Sequence, residues 1–406
     1  MVGTPFIPKT IVVHLGTPSS SAENVYVNFP DYIKNVASGE IYPTWPDAAL
    51  RANIYAQISY ALNRYYTEWY RSQGYDFDIT SSTQFDQSYK PGREIYDSIS
   101  DIVDEIFNSY VVKQGSIEPY FTQYCNGTTV TCEGLSQWGT VPLAEQGLGA
   151  YDILTRFYGE DIDIVTNAPV RNGQPSYPGR PLRLGDSGND VQQIQIRLNR
   201  ISTNYPGIPK INPTDGNFGV DTEAAVRAFQ RTFRLTEDGI VGNATWYRIT
   251  YLFNAVKRLS ELDSEGIRLE DLPRRYEGQL SLGNSGDSVR VIQYYLAVVS
   301  AFYDTIPPVE VNGEFDQQTD AAVRAFQQTF SLPTDGIVGR QTWQKLEDVY
   351  ESIRTSTDLI DGGVVLFPGR VLQAGFQGSS IPPGRAIFRS TLPISPQYIP
   401  ASLHPR

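Results

Sequence analysis

The sequence predicts an α+β domain, then two all-α three-helix-bundle repeats, then an extended C-terminal tail. Three observations carry this. Blocks that begin at Leu184 recur from Leu282 in the same order. The first 165 residues mix strand and helix patterns and lack those blocks. Beyond residue 353 the chain is rich in Gly and Pro with isolated apolar runs such as Val364-Val365-Leu366-Phe367. The boundaries expected are 1–165 for the first domain, 166–181 for a linker and 182–255 for the first repeat. A second linker over 256–278, the second repeat over 279–352 and the tail over 353–406 follow. A length of 406 residues accommodates this, at roughly 150 residues per domain.

In the first domain, Ile11-Val12-Val13 and Asn24-Val25-Tyr26-Val27 read as strands. Pro46 followed by Asp47 opens a long helix to about Arg71. Its buried face carries Leu50, Ile54, Ile58, Ala61, Leu62, Tyr65 and Trp69. A second helix is expected from about Glu94 to Val112, with Ile95, Ile99, Ile102, Ile106 and Tyr110 on one side.

In the repeats, Leu184-Gly185-Asp186-Ser187-Gly188 recurs as Leu282-Gly283-Asn284-Ser285-Gly286. Ala224-Ala225-Val226-Arg227-Ala228-Phe229-Gln230 recurs as Ala321-Ala322-Val323-Arg324-Ala325-Phe326-Gln327. Asp238-Gly239-Ile240-Val241-Gly242 and Thr245-Trp246 recur as Asp335-Gly336-Ile337-Val338-Gly339 and Thr342-Trp343. Each block reads as a short helix. Val191, Ile194, Leu198 and Ile201 form one apolar stripe, and Ala225, Val226, Phe229 and Phe233 another. Asp221 or Thr222 is expected to cap the second helix, with Asp316 and Gln318-Thr319 placed equivalently in the copy. Val226, Phe229 and Trp246 read as packing residues.

Composition narrows the chemistry. A net charge of −12 argues against binding phosphate backbones, so no nucleic-acid partner is expected. With two histidines and two cysteines, zinc-finger frameworks and dense disulfide scaffolds are excluded, and neither a metal nor a cofactor is expected. Carboxylates, hydroxyls and amides must carry any catalysis. The opening twenty residues hold no basic start followed by a signal-peptide apolar core, and no segment is long and apolar enough to span a membrane.

The repeat blocks resemble the peptidoglycan-binding domain of bacterial cell-wall enzymes. The resemblance implies glycan or stem-peptide binding. Arg227, Arg324, Gln230 and Gln327 are the exposed candidates to meet it, Arg227 and Arg324 as the substrate-binding residues. Two tandem copies would raise avidity.

Two segments of the first domain stand out. Tyr32 to Pro46 includes Glu40 among apolar and aromatic neighbours, and Gly134-Leu135-Ser136-Gln137-Trp138-Gly139 precedes a helix with Ala144, Glu145, Gln146 and Gly147. With Ala48, Leu50, Ala52, Ala56, Tyr60 and Ala61 they resemble the stage II sporulation protein D and amidase-enhancer family over about residues 10–160. That resemblance implies a lytic transglycosylase acting on glycan strands in sporulation or germination, with Glu40 catalytic and Ser136, Gln137 and Trp138 lining the groove. A glutamate can protonate a glycosidic oxygen if burial raises its pKa, and Ile41, Tyr42, Pro43 and Trp45 would supply the wall. A hydrolase would need a second carboxylate, for which Asp47 and Glu145 are candidates. Asn53, Ile58 and Thr131 depart from the family's glutamine, arginine and histidine, which puts substrate and rate in question more than fold. Cys125 and Cys132 are read either as a disulfide closing a short loop in an oxidising compartment or as two free thiols.

The readings that follow are a wall-degrading enzyme at the cell wall or spore envelope; a non-catalytic wall-binding protein that stimulates a wall amidase; and a structural surface component.

Overall fold

The computed structural model describes residues 5–354, apart from 174, 269–270, 272–273 and 275, and divides into two compact units, Met1–Arg275 and Tyr276–Arg406. The tail beyond Arg354, including the run from Val364 to Phe367, lies outside the described residues.

In the first unit, β1 (Ile7–Pro8) leads to β2 (Thr10–His14), which pairs antiparallel with β3 (Asn24–Asn28), Val12 opposite Tyr26. Both expected strands are therefore present. Helix α1 (Phe29–Glu40) follows at once, opened by Pro30 and Asp31 in its first turn, where the missing N–H and the negative charge both suit a helix start. Helix α2 (Asp47–Tyr66) begins where Pro46 and Asp47 predict. It is buried on nearly every side, so the expected stripe is present, but polar Asn53, Gln57, Ser59, Asn63 and Arg64 are buried with it. It ends at Tyr66, short of the expected Arg71. Thr67 Oγ1 donates to Asn63 O at 2.7 Å, and Glu68 turns left-handed at φ 47°, which breaks the helical run.

Strand β4 (Ile79–Thr80) adds parallel to β2. Helix α3 (Asp97–Ile106) is shorter at both ends than the expected Glu94–Val112. Tyr110–Lys113 is instead strand β5, paired antiparallel with β8 (Ile162–Val165). β-branched Val111 and Val112 fit a ladder better than a helix, and neighbours far along the chain supply the partner strand. Between them lie β6 (Tyr124–Cys125) and β7 (Leu135–Ser136), a short parallel pair, then α4 (Thr140–Glu145) and α5 (Ala150–Tyr158).

Residues 166–181, expected as a linker, carry β9 (Val170–Arg171), which pairs with β1, and Ser176, whose N–H donates to Glu68 Oε1 at 2.8 Å. The first repeat packs α6 (Asn189–Asn204), α7 (Val220–Thr232) and α8 (Asn243–Lys257) into a three-helix bundle. The α6 stripe of Val191, Ile194, Leu198 and Ile201 is wholly buried, as are Val226, Phe229 and Trp246. This bundle is not a separate unit from the first domain. Asn63 Nδ2 donates to Leu259 O at 2.8 Å, Asn254 Nδ2 to Thr67 O at 2.5 Å and Trp246 Nε1 to Ser176 Oγ at 2.9 Å. Residues 259–267, within the second expected linker, close the seam. Ile117 N–H donates to Ile267 O, and Ile267 N–H to Glu118 Oε2 at 2.6 Å.

The second unit holds α9 (Asp287–Ser300), α10 (Gln317–Thr329) and α11 (Arg340–Arg354) around Ile292, Phe326 and Trp343. The expected cap holds in this copy only: Asp316 Oδ1 accepts from Thr319 N–H at 2.8 Å, whereas α7 starts at Gly219 with no capping side chain. Asp221 and Thr222 lie inside α7, two and three residues past its N-cap position. No helix among the described residues is long and apolar enough to cross a membrane.

Candidate functional site

Glu40 is the last residue of α1, so its side chain leaves the helix where the backbone turns extended at Ile41. Its carboxylate is part-buried and meets four donors. Gln57 Nε2 reaches Oε2 at 2.9 Å, Tyr124 OH at 2.6 Å and Gln137 Nε2 at 3.5 Å, while Ser88 N–H reaches Oε1 at 2.7 Å. Burial pushes the Glu40 pKa above the usual carboxylate range; the bonds from Tyr124, Ser88 and Gln57 and the charge of Arg93 pull it partly back. Burial and the charge of Glu40 hold the Tyr124 phenol far above its ordinary pKa, so it stays a donor. Behind it Gln87 Nε2 donates to Tyr124 OH at 3.0 Å, and Tyr32 OH to Gln87 Oε1 at 3.0 Å. Arg93 comes close because residue 39 is glycine: a Cβ there would stand 1.9 Å from Arg93 Nη1.

The turn after β7 brings Gln137 to Glu40, where α2 supplies Gln57 and β6 supplies Tyr124. Cys125 and Cys132 are joined in a disulfide, and that loop connects Tyr124 to the Gln137 turn; Gln137 N–H donates to Cys125 O at 2.9 Å. Trp138, the next residue of this turn, is 42% exposed. Ser136 serves the turn: its Oγ accepts from Gly139 N–H at 3.0 Å ahead of α4. Asn53 donates to Thr140 Oγ1 at 2.9 Å, and Ile58 is buried in the core. Asp47 is held by Arg51 Nε at 2.7 Å, and Glu145 is exposed.

The sequence motifs do not point to Gln57, Tyr124 or Ser88. Gln57 had a signal, since a glutamine inside an otherwise apolar stripe demands a buried partner. Tyr124 and Ser88 had none, because each reaches Glu40 from a loop or a two-residue strand.

In the repeats, Gln230 and Gln327 are buried, not exposed. Gln230 Nε2 donates to Asp238 Oδ1 at 2.8 Å while its Oε1 accepts from Gly239 N–H at 2.8 Å; Gln327 does the same with Asp335 and Gly336. These glycines sit at φ 73° and 71°, a region other residues enter at a cost. Arg227 pairs with Glu223 at 2.7 Å and Arg324 with Asp320 at 2.7 Å, each also reaching a carbonyl of the following loop. Both guanidinium groups thus have partners within their own repeat.

Comparison with known proteins matches the stage II sporulation protein family model to residues 20–110 and the peptidoglycan binding domain model to residues 187–249 and 285–346. The chain is a stage II sporulation protein domain followed by two peptidoglycan-binding domains. The sporulation match covers Glu40 and α2; Tyr124 and the Gln137 turn lie beyond it. Among curated relatives, a zinc D-Ala-D-Ala carboxypeptidase of Streptomyces albus G is 44% identical over 18% of this chain and 26% of its own length. The N-acetylmuramoyl-L-alanine amidase CwlL of Bacillus licheniformis is 32% identical over 42% of this chain and 46% of its own. The chain thus spans between a quarter and a half of these relatives. Among solved structures, the SleB N-terminal domain is 33% identical over 18% of this chain and 96% of that chain, with a TM-score of 0.17.

Proposed function

We propose that the chain binds peptidoglycan through its repeats and cuts glycan strands as a lytic transglycosylase, with Glu40 as the acid and base. It would act at the cell wall or spore envelope in sporulation or germination. The observation that carries this is a part-buried glutamate with a raised pKa, fixed between Gln57, Tyr124 and the Gln137 turn. A carboxylate oxygen accepts about two hydrogen bonds. Tyr124, Gln57 and, at longer range, Gln137 occupy Oε2, while among the described residues Oε1 accepts from Ser88 alone, so Oε1 keeps a position from which to deliver a proton.

The step balances with one carboxyl. Glu40 protonates the glycosidic oxygen and the anomeric C–O bond breaks. The sugar's own 6-hydroxyl then attacks the anomeric carbon, and Glu40 takes back that hydroxyl's proton. The product carries a 1,6-anhydro end, and no second carboxylate is required. The relatives' names, a D-Ala-D-Ala carboxypeptidase and an amidase, support a wall ligand without naming cleavage of glycan strands.

A second reading, a non-catalytic wall-binding or amidase-stimulating protein, is favoured by the number of donors on Glu40, which would equally satisfy a structural carboxylate. Digestion of purified glycan strands separates them. The wild type is expected to release anhydro ends, and Glu40→Gln to lose at least about a hundredfold in rate. New reducing ends instead would indicate a hydrolase. If neither protein cuts and both pellet with wall sacculi, the second reading stands.

A further inference from the structure

We infer that Tyr42 and Trp138, backed by buried Trp45, form a stacking surface for one pyranose ring of a β-1,4-linked N-acetylated glycan beside Glu40; this rests on the glycan-strand reading above. Among the five tryptophans Trp138 alone is exposed, at 42%, while Trp246 and Trp343 are buried in their repeats. Tyr42 is 56% exposed and lies 5.4 Å from the Trp138 ring, centroid to centroid. Buried Trp45 touches both, 4.9 Å from Trp138 and 5.7 Å from Tyr42. Two large aromatic rings packed on each other and left in water forgo burial that a core would give them.

Their placement is fixed. Trp138 N–H donates to Asn126 O at 3.1 Å, within the disulfide-closed loop. Trp45 N–H donates to Tyr42 O at 3.1 Å, and Pro43 and Pro46 stiffen that stretch. The rings also belong to the two chain segments that carry the carboxylate and its amide partner. Tyr42 follows Glu40 by two residues, and Trp138 follows Gln137, whose amide reaches Glu40. An exposed aromatic surface beside a group ringed by amide and hydroxyl donors matches a ligand with an apolar face and a polar rim, as a pyranose has. The neighbouring carboxylate and the chain's net charge of −12 disfavour a phosphorylated ligand instead.

The test uses the full chain and chitotetraose, with the indole N–H signals of the five tryptophans followed by NMR. Wild type and Glu40→Gln should both show saturable shifts at Trp45 and Trp138. Read at Trp45, Trp138→Ala should weaken binding at least about tenfold while Trp138→Phe recovers part of it. A Trp45 signal unmoved at millimolar sugar, or unchanged affinity in Trp138→Ala, overturns the platform. Binding by Glu40→Gln alongside a wild type that cuts no strand leaves the platform standing and removes the transglycosylase.

Discussion

The two repeats share an interior and differ in what their outer faces meet. In each, one glutamine of the first helix holds the loop that follows: Gln195 accepts from Gly216 N–H and Gln293 from Gly313 N–H, both at 2.8 Å. In each, a tyrosine packs edge-on against the motif tryptophan, Tyr177 on Trp246 at 6.0 Å and Tyr276 on Trp343 at 6.1 Å. Between the shared positions the copies diverge. Where the first repeat has Arg197, bonded to Thr250 at 2.6 Å, the second has Tyr295, its ring tilted against Tyr350 at 4.6 Å. The first repeat is joined to the sporulation domain by the seam through Asn63, Thr67 and Ser176. The motif blocks therefore specify a bundle, and the residues between them decide what that bundle is attached to.

The largest break in this comparison comes from the two tryptophans. Trp246→Ala and Trp343→Ala should each cost about 3–5 kcal/mol, since each empties a packed core. Their reach should differ. Trp246 also donates to Ser176 in the seam, so its loss should lower the unfolding transition reported by Trp45, Trp69 and Trp138 in the first domain. Trp343→Ala should leave that transition in place and move only the one belonging to the second unit. Calorimetry of the full chain, with site-specific fluorescence, reads both. If Trp246→Ala leaves the first domain's melting unchanged, the first repeat is not coupled to it.

What could be read in advance follows the same division. Both bundles, β2, β3 and the start of α2 were legible, because apolar period and turn residues are local. The end of α3 was not: Tyr110 to Val112 continues an apolar helical period, and only its pairing with Ile162–Val165 makes it a strand. Glu40 was singled out through a resemblance, and its partners Tyr124 and Ser88 reach it over long sequence separations that no periodicity records. Gln230 and Gln327 defeat the pattern because a glutamine one position from an apolar stripe looks solvated, until the turn at Asp238 or Asp335 folds back over it.

A middle-sized effect tests the seam by pH. Burial pushes the Glu118 carboxyl up to about 8, against the Ile267 N–H bond and the charge of Lys257, which lower it, while Asp271 raises it. The unfolded chain releases this proton near the ordinary value of about 4.3, and the folded one near 8. Between those limits the native state binds more protons, so stability falls as pH rises, by at most about 1.4 kcal/mol per unit, and levels off above pH 8. Denaturant titrations of the first unit at several pH values should show this slope, and Glu118→Gln should flatten it. A wild-type stability independent of pH over that window would mean that Glu118 is ionised in the fold, and the seam would then carry a buried charge.

The smallest effect transplants a feature from one repeat into the other. Gly219 and Asp316 begin equivalent helices with nearly the same backbone, φ −87° and ψ −175° against φ −88° and ψ −175°. Neither value needs glycine, and a Cβ at Gly219 meets nothing within 4 Å. Asp316→Ala should cost the second unit about 1 kcal/mol by leaving the Thr319 N–H without its acceptor. Gly219→Asp should stabilise the first unit by about 0.5–1 kcal/mol, through the new cap on Thr222 N–H and a less flexible unfolded chain. Melting temperatures of the two variants should move in opposite directions. If Gly219→Asp destabilises instead, the start of α7 is held in its present form by something the second repeat does without, and the interiors are less alike than their hydrogen bonds indicate.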